Sequence, residues 1–140
     1  MHRILLPVDH SEERAHSQVT YVKSLPDVGN SVEVKILHVF GNEDSIDPKT
    51  DESARDPEKI PSVARTKAAL EDAGIECEVI KDRHDVVSAI VEQATEHDVD
   101  AIVLGGRKRS TAGKVLFGSV TMAVLRNMAI PVVVTGELEE

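Results

Sequence analysis

Five short apolar runs, spread along the whole chain, constrain the fold more than any other feature of the sequence. They are rich in Val, Ile and Leu, and each has the length of a strand rather than of a buried helix. The runs are Arg3–Val8, Val32–Phe40, Ile75–Ile80, Val99–Leu104 and Ile130–Val134. The stretches between them carry apolar residues at helical spacing. Strands that alternate with helices in this way predict an α/β fold, with a parallel sheet covered by helices on both faces.

The order of these segments predicts a doubly wound, Rossmann-like sheet of five parallel strands in the order 3-2-1-4-5. Ser11 and Asp85 are placed to cap the helices after the first and third strands, and Ser119 begins the last helix. In such a sheet the first and fourth strands are neighbours, and ligands bind where their carboxyl ends diverge. Asp9 and Gly105 follow those two strands, so we expect both to open into one crevice.

The second helix and the third strand have less regular patterns. An inward stripe is predicted along the second helix, formed by Ile60, Val63, Ala64, Ala68 and Leu70. The third strand alternates, which places Cys77 on the same face as Ile75 and Val79. We therefore expect Cys77 to be a small core residue rather than a reactive thiol.

Length and composition favour a single cytoplasmic domain over residues 1–140. The chain has 140 residues, of which 41% are hydrophobic, enough for a core on both faces of a sheet. One cysteine allows no internal disulfide and fits a reducing compartment. We expect no signal peptide and no membrane span, because no apolar run has the required length or position. A net charge of -9 argues against a general nucleic-acid surface.

Residues 41–57 are predicted to form a mobile acidic loop. The stretch is rich in Asp, Glu, Ser and Pro and has few apolar side chains, so burial cannot offset the entropy of ordering it. Its acidic residues do not keep the spacing of an EF-hand calcium loop. The histidines do not form a metal-binding set either, and His38 is predicted to be a core or crevice residue with its hydrogen bonds satisfied, rather than a ligand.

Basic side chains are concentrated between the fourth strand and the last helix. Residues 101–136 contain five Lys or Arg residues and no Asp or Glu. From Gly105 to Ser119 these cations are combined with glycines and a helix start, which suits a phosphate group. This is not a Walker loop, because Lys108 and Val115 stand where that motif requires Gly and then Ser or Thr. A dinucleotide fingerprint is excluded, because the turn after the first strand has no glycine.

The spacing of Gly105 and Gly118-Ser119 resembles the nucleotide-binding pattern of the universal stress protein family. That pattern is glycine, two residues, glycine, nine residues, and then glycine followed by Ser or Thr. The rest of the chain resembles the family in the same order. The matching segments are Ile4–Ser11, His38-Val39, Asp98–Arg107, Phe117–Val120 and Ile130–Val134.

This resemblance implies a stress-response regulator that binds ATP or a related adenine nucleotide, with or without Mg²⁺, and has no enzymatic activity beyond slow ATP hydrolysis. Asp9 would contact the ribose, Pro7, Val8 and Val39 would flank the base, and the loop would surround the phosphates. The full implied set is Pro7, Val8, Asp9, Val39, Leu104, Gly105, Arg107, Lys108, Gly118, Ser119 and Val120. The resemblance also implies a homodimer paired through Ile130–Val134, whose apolar edge a partner would cover.

Lys108 departs from the family pattern, because it stands where the second glycine belongs. Its side chain could place a charge directly on a phosphate. Alternatively it could crowd the pocket, and the protein would then be an interaction or scaffold module that binds no nucleotide. Asp9 also has two interpretations, as a ligand contact or as a turn residue that bonds the backbone near Ser11. For Gly105 and Gly118, tight strand–helix packing is compatible with phosphate binding.

Overall fold

The five apolar runs form one parallel sheet. The structure, a computed structural model, describes residues 1–41, 55–83, 85–108 and 117–137, and the side chains of all of these except residues 107, 108 and 137. The strands are β1 (His2–Pro7), β2 (Val32–Phe40), β3 (Glu76–Arg83), β4 (Ala101–Lys108) and β5 (Val132–Glu137). Their order in the sheet is β3-β2-β1-β4-β5, with every neighbouring pair parallel. The predicted fold class and strand order are confirmed.

Helices fill the connections between the strands. They are α1 (Glu12–Lys23), the single turn α2 (Val28–Ser31), α3 (Pro61–Asp72), α4 (Val86–Glu96) and α5 (Ser119–Asn127), with a 3-10 turn at Pro57–Lys59 before α3. Two predicted caps are confirmed. The Arg14 amide donates to Ser11 Oγ at the start of α1, and the Ser88 amide donates to an Asp85 carboxylate oxygen at the start of α4.

Each face of the sheet has its own apolar core. Successive residues of a strand point to opposite faces, so Leu6 packs in the core on one side of β1 and Leu5 packs in the core on the other. The first core contains residues of α1 and α3, and the second contains residues of α4 and α5. Covering on both faces explains why the central strands are uninterrupted apolar runs.

Three strands and one helix differ in detail from the sequence prediction. β5 covers Val132–Glu137 rather than Ile130–Val134. β4 continues beyond Leu104 to Lys108, because it pairs with β5 at Gly105↔Thr135 and again, after a register shift, at Lys108↔Glu137. β3 continues in the same way to Arg83, along the last residues of β2. Long-range pairing of this kind cannot be read from a local pattern.

The inward stripe predicted for the second helix, which is α3 in the structure, is wrong at Ala64 and Ala68, because both are exposed. The buried side of the helix carries Ser62 and Thr66 instead. The Thr66 hydroxyl donates to the Ser62 carbonyl at 2.8 Å, and the Ser62 hydroxyl donates to the Asp9 carbonyl at 2.5 Å. These polar groups tolerate burial because each has a hydrogen-bond partner.

Cys77 is half-buried and packs against the first core, as expected for a small apolar residue. Burial raises the pKa of its thiol, which keeps the sulfur protonated. No helix within the described ranges is long and apolar enough to cross a membrane.

Most of the predicted acidic loop and of the basic loop lies outside the described residues. For the acidic loop over 41–57, the structure describes residue 41 and residues 55–57. Arg55 lies with its guanidinium carbon 5.8 Å from the centre of the Phe40 ring, and Pro57 is buried at the start of the 3-10 turn. Residues 109–116 of the basic loop are outside the described part as well.

Candidate functional site

A crevice opens where β1 and β4 stop pairing. Their ladder joins Ile4 to Ala101 and Leu5 to Ile102, at the middle of β1 and the amino end of β4. Beyond it lies a cavity of about 300 Å³ between the carboxyl ends of the strands. Its walls come from residues 7–10, 37–39, 104–105 and 118–121, together with side chains of α1 and α4. This volume is at the lower end of the range for small-molecule sites.

Nine of the residues predicted from the sequence line this crevice. They are Pro7, Val8, Asp9, Val39, Leu104, Gly105, Gly118, Ser119 and Val120. Asp9 and Gly105 therefore share one crevice, as expected from their positions after the first and fourth apolar runs of the sequence. Arg107 and Lys108 belong to β4, but their side chains lie outside the described part of the structure. Their contacts with a phosphate stay predictions.

Asp9 is held in a turn at the mouth of the crevice. Its Oδ1 accepts the Ser11 amide at 2.8 Å, so the turn interpretation is confirmed. Its Oδ2 lies 3.0 Å from Arg14 Nε and 2.9 Å from Arg14 Nη2. The side chains of Asp9 and Arg14 are 54% and 37% exposed. Ion pairs in such surroundings typically contribute no more than about 1 kcal/mol to stability.

The start of α5 lies at the crevice and has no side-chain cap. Gly118 is the N-cap residue, with an extended backbone and no side chain to accept a hydrogen bond from the first turn. The residues of that first turn, Ser119, Val120 and Thr121, line the crevice. The first amides of a helix have no partner within the helix and carry the positive end of its dipole. They are therefore suitable donors for an anion.

One wall of the crevice is apolar. Leu37 and Ile90 are completely buried beneath it, and Val39 and Val120 are partly buried against the same core. The mouth, by contrast, carries Asp9 and Arg14. An apolar wall beside polar groups and helix amides can bind a ligand with an aromatic ring at one end and an anion at the other.

Comparison with known proteins decides the family. A sequence profile described as "Universal stress protein family" matches residues 1–136. The chain belongs to the universal stress protein family.

Solved structures share the fold. The hypothetical protein MJ0577 is 26% identical and superposes with a TM-score of 0.78 over 99% of this chain and 98% of its own. At 20% identity, a universal stress protein from Archaeoglobus fulgidus in complex with dAMP gives a TM-score of 0.66 over 96% of this chain and 98% of its own. At 15% identity, a universal stress protein in complex with cAMP gives 0.67 over 96% of each chain. No curated protein sequence gives a significant match.

Gly105 has a packing role in this universal stress protein. A Cβ atom at this position would lie 2.9 Å from Arg14 Cβ and 3.2 Å from the Arg14 carbonyl oxygen. Both atoms are fixed by α1, so any side chain would push the helix away from β4. The tight packing that the sequence suggested is present, and the same glycine still faces the crevice.

Gln18 was not predicted from the sequence, although it joins the two strands that border the crevice. Its side chain is buried, and its Nε2 donates to the Pro7 carbonyl at 2.7 Å and to the Val103 carbonyl at 2.9 Å. One helix residue thus satisfies carbonyls of β1 and β4 beyond the end of their ladder. The one signal in the sequence that could have identified Gln18 is its position in α1, directly before the inward-facing Val19.

Ser17 extends this set of contacts to the edge of the sheet. Its hydroxyl and that of Thr135 on β5 share a hydrogen bond of 2.8 Å, and the Ser17 hydroxyl also donates to the Arg14 carbonyl. Consecutive residues of α1 therefore contact β1, β4 and β5. The helix is fastened across the carboxyl end of the sheet by side-chain hydrogen bonds.

His38 is a buried crevice residue, as predicted, but the expectation that its polar atoms are satisfied holds only for Nδ1. Its Nδ1 lies 2.8 Å from the Val8 carbonyl oxygen. Because a carbonyl can only accept, this nitrogen carries the hydrogen, and a neutral ring then presents Nε2 as an acceptor. Nε2 is buried without a hydrogen-bond partner among the described residues. The ring packs edge-on against His10 and Phe40, with centroids 5.1 and 4.8 Å away.

Proposed function

We propose that this universal stress protein binds an adenine nucleotide, ATP or a close relative, in the crevice between β1 and β4, and acts as a stress-response regulator. The observation that carries the proposal is the crevice itself. It combines an apolar wall, a carboxylate at its mouth and a helix start without a side-chain cap. The dAMP and cAMP complexes of similarly folded universal stress proteins support the choice of adenine.

The base would lie against the apolar wall. Val39 and Val120 present aliphatic surface there, and Pro7 and Val8 form the adjoining edge at the end of β1. Burial of an aromatic base against such groups is favourable, because it removes apolar surface from water. The ribose would then lie near Asp9, whose carboxylate can accept hydrogen bonds from hydroxyl groups.

The phosphates would lie at the start of α5. Main-chain amides of Ser119 and Val120 offer donors, and Gly118 leaves them open to a ligand. Leu104 and Gly105 form the floor on the β4 side. In this proposal the Arg107 and Lys108 side chains add positive charge to the phosphates, and Mg²⁺ accompanies ATP as its usual counterion.

Binding rather than catalysis is the proposed activity, in a cytoplasmic homodimer. β5 is an edge strand of the sheet, and its half-buried residues Val132, Val133 and Val134 continue the apolar run that begins at Ile130. An apolar edge strand is a site for pairing with another chain. A second copy of this chain would cover it, and sedimentation at twice the mass of 15.2 kDa is the expected result.

Calorimetric titration tests the nucleotide proposal. We expect ATP with Mg²⁺ to release heat and to stabilise the fold, by about 2.7 kcal/mol at a hundred times its dissociation constant. GTP under the same conditions is the control for base preference. Absence of both heat and thermal stabilisation at millimolar ATP would contradict the proposal. It would favour the alternative that the position of Lys108 suggests, an interaction module of the same fold.

A further inference from the structure

Arg14 stands in a position where a cation is unfavourable for the helix. It is the third residue of α1, after Glu12 and Glu13. The start of a helix favours negative side chains and disfavours positive ones, because of the dipole and the unpaired amides. The two glutamates follow this rule and Arg14 does not. A local choice that opposes its own helix is a reason to look for a role outside that helix.

The contact between Arg14 and Asp9 does not explain the arginine. Asp9 is already oriented by the Ser11 amide, through Oδ1. Arg14 approaches the other oxygen with Nε and Nη2, and Nη1 takes no part in the contact. This is not the two-oxygen fork in which a guanidinium binds a carboxylate most strongly. Since both side chains are substantially exposed, the pair is weak and can be exchanged.

Arg14 is also well placed to reach a ligand. Its Cβ lies directly over Gly105, and its guanidinium reaches Asp9, so the side chain extends along the mouth from β4 to β1. Gly118, at the start of α5, lines the same crevice. Among the described residues that line it, Arg14 carries the only Lys or Arg side chain.

We propose that Arg14 is a phosphate-binding residue, held at the mouth of the crevice by Asp9 and transferred to the nucleotide's phosphate when the ligand enters. The phosphate replaces the carboxylate as the partner of the guanidinium, and Asp9 becomes available to the ribose hydroxyls. This inference rests on the proposed function, because it assumes a nucleotide in this crevice. It assigns the recognition of phosphate to α1 as well as to α5.

The proposal predicts opposite effects for the two partners. Arg14→Gln should weaken ATP binding by about tenfold or more, as expected for the loss of a charge-assisted hydrogen bond. It should change adenosine binding by less than about twofold. Asp9→Asn should weaken adenosine, yet it should tighten binding of inorganic tripolyphosphate, because the guanidinium no longer has a competing carboxylate.

The experiment is calorimetric titration of adenosine, AMP, ATP and tripolyphosphate into the wild type and four variants, Arg14→Gln, Asp9→Asn, Arg65→Gln and Arg14→Lys. Arg65→Gln is the matched control. Arg65 lies on α3, forms an ion pair at 3.0 Å with Glu12 of α1 and does not line the crevice. It should leave all four affinities unchanged. Arg14→Lys keeps the charge and should retain part of the preference for ATP over adenosine. It therefore keeps the inference testable if Arg14→Gln fails to fold.

Two results would overturn the inference while leaving the proposed function intact. In one, the wild type binds ATP and Arg14→Gln binds it equally well. In the other, Arg14→Gln weakens adenosine and ATP by the same factor, which would mean that Arg14 only holds Asp9 in place. A wild type that binds neither adenosine nor ATP would instead contradict the nucleotide proposal, and this inference with it.

Discussion

Two of the helices that begin at the crevice, α1 and α5, are fixed in different ways. At α1, Ser11 caps the first turn, and Ser17 and Gln18 hydrogen-bond to three strands. At α5, Gly118 provides no side-chain cap, and the helix packs through apolar residues such as Val124. One wall therefore has its polar groups satisfied by the protein itself, whereas the other leaves helix amides for a ligand.

This difference separates two requirements of a binding crevice. Its shape depends on contacts that are complete without a ligand, and these are concentrated on α1. Its capacity to bind an anion depends on donors that are incomplete without one, and these are concentrated on α5. Substitutions on α1 should therefore change mainly stability, and substitutions at the start of α5 should change mainly affinity. Arg14 is the proposed exception on the α1 side.

The largest expected effect is at Gln18. Gln18→Met keeps the length of the side chain but leaves the Pro7 and Val103 carbonyls without their donor. Each unsatisfied buried group costs about 1–3 kcal/mol, so we expect a loss of about 3 kcal/mol in the free energy of unfolding. Urea unfolding would measure it. Gln93→Met is the control, because Gln93 is only partly buried and bonds the side chain of Asp82. Equal losses in both variants would contradict the bridging role of Gln18.

Intermediate effects are expected from removing the side-chain cap at the start of α1 and from adding one at the start of α5. Ser11→Ala should lower the free energy of unfolding by about 1 kcal/mol, the usual contribution of a cap, with little change in nucleotide affinity. Gly118→Asp should raise stability slightly and weaken ATP by roughly tenfold, because its carboxylate would occupy the amides of α5 and repel phosphate. Chemical unfolding and calorimetry would measure both changes.

A neutral cap separates the two contributions at Gly118. Gly118→Asn can accept the same hydrogen bonds but carries no charge, so it should weaken ATP less than Gly118→Asp does. If Gly118→Asp left the ATP affinity unchanged, the start of α5 would not be part of the phosphate site.

The smallest expected effect is a pH dependence at a third helix start, that of α4. Asp85 accepts hydrogen bonds from the Ser88 hydroxyl and amide, and these lower the pKa of its carboxyl group. A lowered folded pKa contributes stability that is fully present above the unfolded value of about 3.9 and is lost as the pH falls through the lower folded value. The advantage of the wild type over Asp85→Asn should therefore shrink below about pH 4. The cost of Ser11→Ala should stay constant over the same range, because a serine does not titrate there.

The fold was predictable because its determinants are local. Apolar runs of strand length, separated by helical patterns, lead to the observed strand order, and that order places Asp9 and Gly105 in one crevice. Capping was predictable for the same reason, since the partners of Ser11 and Asp85 lie three residues away.

The contacts that shape the crevice were not predictable, because they depend on distant partners. Gln18 stabilises the crevice only because it donates to carbonyls of β1 and β4, and one of these, that of Val103, is 85 residues away. The extension of β4 to Lys108 depends on β5. The burial of Ser62 depends on the Asp9 carbonyl, 53 residues away. A helical pattern shows where a polar residue lies on the helix but not which acceptor it meets.

The separation in sequence between β1 and β4 also has a consequence for kinetics. The Arg3 amide bonds the Asp100 carboxylate, a contact between residues 97 apart, so the two strands can meet only after a long loop has closed. The crevice cannot exist before that step. Because a ligand can bind only once the crevice has formed, we expect it to slow unfolding while leaving the folding rate nearly unchanged.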